Sequence, residues 1–275
     1  MENNFSKIAF LATMAVIPIV VGVTLAGLLV EDLYSDLSVS MQVQGRGQDI
    51  ITLLFVVPML VLSMIKAYRG VLNGILILAG LHAYLIYSYF VYSAGIPFNV
   101  MYLAYVAILL LSTMSIISII SSLNMNKVAS AFSEDIPNKL VAYYMIISAV
   151  LVALMWLGTI IISGMINGSL PKNVLEDTNG YLMVQTLDLG LVVPFGVFAG
   201  MLLLKKTKWS YLLSAIFMVK VTTLCLAIIA MVFVMKREGL AVDLVQIIVF
   251  SVLLILSLIM LFLFFNSLNS NQVSD

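Results

Sequence analysis

Residues 49–66 read DIITLLFVVPMLVLSMIK: a carboxylate, sixteen uncharged residues and an amine. Coiled as a helix, those sixteen residues rise ~24 Å, most of the ~30 Å hydrocarbon layer of a bilayer. Residues 188–205, DLGLVVPFGVFAGMLLLK, repeat the plan: Asp188, sixteen uncharged residues, Lys205. Runs of this kind fill the chain. Of its 275 residues 63% are apolar and 9% charged, against roughly a quarter charged in a soluble domain. The chain cannot cover itself with polar side chains, which excludes a soluble globular protein. Disorder is excluded as well, because disordered chains are poor in apolar residues.

Uncharged runs bounded by charges or turn residues predict eight membrane spans: Ile8–Val30, Ile50–Ile65, Leu72–Tyr92, Val100–Leu123, Leu140–Ile166, Leu182–Leu204, Trp209–Met235 and Leu244–Phe265. Gly95 and Pro97 break the long uncharged stretch 70–126 into two helices. The polar–apolar alternation of barrel strands is absent. The expected fold is therefore an all-α, polytopic integral membrane protein of eight transmembrane helices. The first run has 23 residues and lacks a small-residue cleavage pattern, so it is read as a retained helix rather than a signal peptide.

Lys and Arg set the expected orientation. With the N-terminus inside, Lys7, Lys66, Arg69, Lys127, Lys139, Lys205, Lys206 and Lys208 are cytoplasmic. Arg46, Lys172, Lys236 and Arg237 then lie outside with Glu31, Asp32, Asp36, Glu176 and Asp177. Both termini are expected in the cytoplasm and the chain in the plasma membrane; Lys236-Arg237 opposes the rule.

The 49–66 and 188–205 runs stand 139 residues apart, and at that spacing Arg69 falls on Lys208 and each of the first four spans on one of the last four. This layout predicts a single transmembrane domain, 1–275, made of two repeats, about 7–126 and 140–269. Four spans per repeat is an even number, so the halves must be parallel, related by an axis along the membrane normal. Asp49 and Asp188 would then be equivalent carboxylates.

Ionisable residues within a span cost several kcal/mol unless paired or hydrated, and are functional candidates by default. Lys220 lies in the middle of the seventh span, beyond snorkelling reach of either surface. Asp188, on the sixth span, is its expected neighbour. A Lys220–Asp188 pair would either fix two helices together or bind a solute; a Schiff-base lysine is a lesser alternative. Asp49 and Asp188 can also be read as caps near helix N-termini. His82 and Tyr84 lie too deep in the third span for an interfacial belt, whereas Tyr92, Tyr102, Trp209 and Tyr211 fit one. By depth, Arg46, Gln48, Asp49, Tyr84, Tyr87, Tyr105, Gln185 and Asp188 fall in the outer half, with Lys220 and His82 beneath them. Together they are the candidate binding residues, forming one polar vestibule. Gln185, Thr222 and Thr223 also suit interhelical hydrogen bonds.

One cysteine (Cys225) and one histidine (His82) exclude a disulfide framework, a multi-ligand zinc site and a Cys-ligated iron–sulfur cluster. No catalytic residue, metal or cofactor is expected. Zero net charge argues against nucleic acid. The expected partners are the lipid bilayer, a small-molecule ligand, and another copy of the chain or a protein partner. The leading functional expectation is a small-solute transporter or binding protein. A non-catalytic membrane subunit or sensor is the alternative, and a membrane enzyme on a lipid-linked substrate the third.

Overall fold

The computed structural model describes residues 6–133, 137–170, 172–178, 181–242 and 244–268. It is all-helical, and eight of its helices are long and apolar enough to cross a membrane. In oil each backbone N–H and C=O must find its partner within the segment, so every long apolar run becomes a helix. These are α1 (Lys7–Leu29), α2 (Val39–Tyr68), α3 (Leu72–Ala94), α4 (Tyr102–Ser122), α5 (Asn138–Trp156), α6 (Met183–Leu204), α7 (Ser210–Arg237) and α8 (Leu244–Asn266). Short helices at Met125–Ser130 and Lys172–Thr178 lie in the connections. The expected end of the second repeat, residue 269, lies outside the described residues, as do the side chains of Glu176 and Asp177.

The largest departure from the expected spans is at α2, which begins at Val39 rather than Ile50. Residues 39–48, VSMQVQGRGQ, are too polar for hydropathy to mark, but Ser38 caps them by accepting from the Met41 N–H. Asp49 is consequently well inside a helix. Asp188 likewise follows five residues of helix, Met183–Leu187. Neither carboxylate caps a helix.

α2 and α6 share an unusual build. Each passes through five π-helical residues, Thr52–Val56 in one and Asp188–Val192 in the other, directly before Val57-Pro58 and Val193-Pro194. Each then runs twelve α-helical residues. Proline has no N–H to give the preceding turn, and the widened turn absorbs that loss. Both helices end in the same turn: the N–H groups of Arg69, Gly70 and Val71 bond to Ile65, Ala67 and Lys66, and those of Lys205, Lys206 and Thr207 to Met201, Leu203 and Leu202. Gly70 (φ +75°) and Lys206 (φ +49°) hold the same left-handed position. Pro58 and Pro194, like Gly70 and Lys206, are 136 residues apart. This spacing is three less than that of the charges. It aligns Thr52 with Asp188, Tyr84 with Lys220, and Asp49 with Gln185.

In space, α1–α2–α3–α4 close into one ring of neighbours and α5–α6–α7–α8 into another. The rings meet along α3 and α7, the most buried of the long helices. Gly80 of α3 lets the Val219 side chain of α7 come close. α7 also lies along α2, where a side chain at Gly47 would come within 2.5 Å of the Met231 backbone. At the 136 spacing the counterpart of that contact is Met183 against Gly95, and it too is present, 3.0 Å from where a Gly95 side chain would begin. The two sides are not equally closed. α7 packs along much of α2, whereas α3 meets α6 chiefly at Met183–Leu187.

The proposed aromatic belt divides. Tyr102 and Trp209 are exposed, but Tyr92 is buried among other tyrosines and Tyr211 is buried with its ring 4.6 Å from that of Phe132.

Candidate functional site

Asp188 sits at the first π-helical residue of α6, and its two carboxylate oxygens each accept one hydrogen bond. The Tyr87 hydroxyl of α3 donates to Oδ1 at 2.9 Å, and the Trp156 indole N–H of α5 donates to Oδ2, also at 2.9 Å. Trp156 is itself the last α-helical residue before a π-helical turn, Leu157–Ile161. The Trp156–Asp188 bond thus joins α5 and α6 where each widens.

Lys220 reaches the same tyrosine from α7. Its Nζ stands 3.8 Å from the centre of the Tyr87 ring, a cation–π contact worth about 2 kcal/mol when desolvated. The residue is 6% exposed, and Nζ has no hydrogen-bond partner. Lys220 and Asp188 are close enough to interact electrostatically, yet no acceptor lies within bonding distance of the amine. Tyr87 touches both residues, its hydroxyl bonding Asp188 and its ring facing Lys220. The amine can donate three hydrogen bonds and donates none among the described residues. Gln185, one helical turn before Asp188 and therefore on its face, is also buried with its Oε1 unpartnered.

The remaining candidates do not join this group. Asp49, 2% exposed, accepts a 2.8 Å bond from Tyr34. Gly27 of α1 is what leaves room: a side chain there would overlap the Asp49 carboxylate and come within 2.6 Å of the Tyr34 hydroxyl. Tyr34, Tyr89, Tyr92 and Tyr105 form a continuous set of rings with centres 5.3–6.1 Å apart. Tyr34 lies in the connection between α1 and α2, outside the long helices, and burial first, then the nearby Asp49 carboxylate, pushes its pKa well up. Arg46 and Gln48 are half-buried on α2 and hydrogen-bond to neither carboxylate. Tyr84 pairs with Thr52 at 3.0 Å.

His82 is enclosed elsewhere, its Nε2 2.9 Å from the Thr13 hydroxyl. The same hydroxyl lies 2.7 Å from the Ala9 carbonyl, and Nδ1 has no partner among the described residues. The His82–Thr13 hydrogen bond fastens α3 to α1. The candidates therefore do not gather into the single vestibule inferred from depth, because depth says nothing about rotation around a helix axis.

Sequence reading missed three residues: Trp156, Tyr34 and Gly27. Trp156 carried a signal, being a tryptophan deep in the fifth span whose buried N–H needs a partner. Gly27 and Tyr34 carried none. Among the described residues no group of three or more His, Cys, Asp and Glu is placed to hold a metal ion. No protein-family model matches the sequence, and comparison with curated proteins and with solved structures gives no significant match.

Proposed function

We propose that this protein is a small-solute carrier or binding protein of the plasma membrane, with its solute site around Asp188, Tyr87 and Lys220. The observation that carries this reading is the Lys220 amine, buried in the middle of a long helix without an acceptor and beside a carboxylate it does not touch. Two buried opposite charges gain most by direct contact. A pair serving only to fasten helices would close that gap. Here the carboxylate is held by neutral donors, and the amine's donors stay free for an occupant.

The chain is, in this reading, two parallel four-helix repeats related at the 136-residue spacing. The shared π-turns, proline positions and left-handed turns support it, as do the paired Gly47–Met231 and Gly95–Met183 contacts. Thr52–Tyr84 is then the uncharged counterpart of Asp188–Lys220. Only the second repeat carries charge at the shared position, and it does so beside the less closed seam between α3 and α6. With both termini cytoplasmic, the site lies toward the outer half of the bilayer.

The test is purification in mild detergent, mass spectrometry of co-purifying small molecules, and uptake of those molecules by proteoliposomes. Asp188→Asn and Lys220→Met should each lose the bound solute and its uptake while unfolding within a few degrees of the parent. If instead each single variant is markedly less stable, the double variant regains the loss, and no solute is found, the pair only fastens helices. The subunit or sensor reading then replaces this one.

A further inference from the structure

We infer that the ligand of this site, taking the solute-site reading as given, is a small zwitterion of the amino-acid type. Its carboxylate would sit on Lys220 and its ammonium between Asp188 and Gln185. Three observations lead there. The Lys220 amine is buried with its donors unused, so it calls for an acceptor from outside the protein. Gln185 Oε1 is buried and unpartnered, on the same face as Asp188 and one turn away. Each Asp188 oxygen accepts a single bond and can accept another. The site thus offers an unused donor on α7 and unused acceptors on α6, with Tyr87 touching both Lys220 and Asp188.

Charge narrows the choice further. The site sets one basic side chain, Lys220, against one acidic side chain, Asp188. A bare anion or cation would bring net charge into a low-dielectric interior at high cost, whereas a zwitterion brings none and meets both charges with their opposites. Tyr87 and Trp156 keep part of their surface at the outside of the helix bundle, and no atom stands within 4 Å of where a side chain at Gly158 or Gly190 would begin.

The experiment uses the full chain with Trp209→Phe, which leaves Trp156 as the sole tryptophan and its emission as a report on the Asp188 bond. Purified protein is titrated at fixed ionic strength with the common α-amino acids, and with acetate, methylamine and acetamide as single-group controls. At least one amino acid should shift Trp156 emission and raise the unfolding midpoint by several degrees at millimolar concentration, with the controls inert. The shift should vanish in Lys220→Met and in Asp188→Asn, and weaken at least threefold in Gln185→Leu, which keeps both charges. A response to acetate equal to that of any amino acid, a response surviving Lys220→Met, or no response across the panel overturns the inference. Binding without uptake into vesicles would sink the carrier and leave the zwitterion site standing. Uptake of a non-zwitterionic solute that depends on Asp188 would do the reverse.

Discussion

Tyr87 does two jobs with two parts of one side chain. Its hydroxyl holds Asp188 and its ring faces Lys220. The parts can be separated by substitution. Tyr87→Phe keeps the ring and should cost about 1.5–3 kcal/mol, the worth of a hydrogen bond to a charged group. Tyr87→Leu loses the ring as well and should cost up to about 2 kcal/mol more; denaturant unfolding in detergent compares the two. Tyr34 gives a pH signature. Its pKa is raised in the folded state, so the folded chain holds that proton more tightly than the unfolded one. Its contribution is therefore complete below the ordinary tyrosine value of about 10 and declines as pH rises beyond it. Unfolding midpoints measured from pH 8 to 11 should fall more steeply for the parent than for Tyr34→Phe. At this scale the sequence was partly legible. The charges in oil stand out by type, but the contact Lys220 makes, with the Tyr87 ring, was not among those expected of it. Tyr34 was overlooked because its partner, Asp49, stands 15 residues away, and Trp156, although its buried N–H needed a partner, because Asp188 stands 32 away.

At the scale of elements, small residues decide how closely helices approach. Gly47 faces backbone, which cannot rotate away, so Gly47→Ala should lower the unfolding midpoint by several degrees. Gly22, deep in α1, has nothing near the position of a side chain. Gly22→Ala should be neutral or stabilising by up to about 1 kcal/mol, since alanine is the better helix former. Measured in parallel, equal effects at the two positions would contradict the packing described. The π-turns belong to this scale too. Pro58 and Pro194 each deny the preceding turn an N–H, but whether a helix kinks or widens in response depends on what packs against it. Here the widened turns place Thr52 against Tyr84, and Asp188 against Tyr87 and Trp156.

For the whole molecule, the proposed topology has an even number of spans, both ends on one side, and, by the positive-inside rule, that side in the cytoplasm. With Cys225 replaced by serine, a cysteine at Ser35 should react with an impermeant maleimide applied outside intact cells. One at Ser130 should react only after permeabilisation; the reverse pattern would invert the topology. If the halves are repeats at the 136 spacing, Thr52→Asp with Tyr84→Lys should give a folded protein with a second charged pair. Either change alone should be more disruptive than both together, a comparison that a thermal-unfolding cycle measures.

Composition and uncharged run length were enough to determine an all-helical chain with eight helices long and apolar enough to cross a membrane. Oil leaves the backbone no alternative to helix, and that constraint acts on each segment alone. Where α2 begins was not readable, because its first ten residues are polar and owe their helix to Ser38 and to packing against α7. Nor was the partition of the polar residues. Depth along an axis follows from counting, but which face of a helix meets which neighbour depends on contacts between distant segments. Only the folded chain separates Asp49 into a nest of tyrosines, binds His82 to Thr13, and brings Asp188 and Lys220 to the hydroxyl and the ring of one tyrosine, Tyr87.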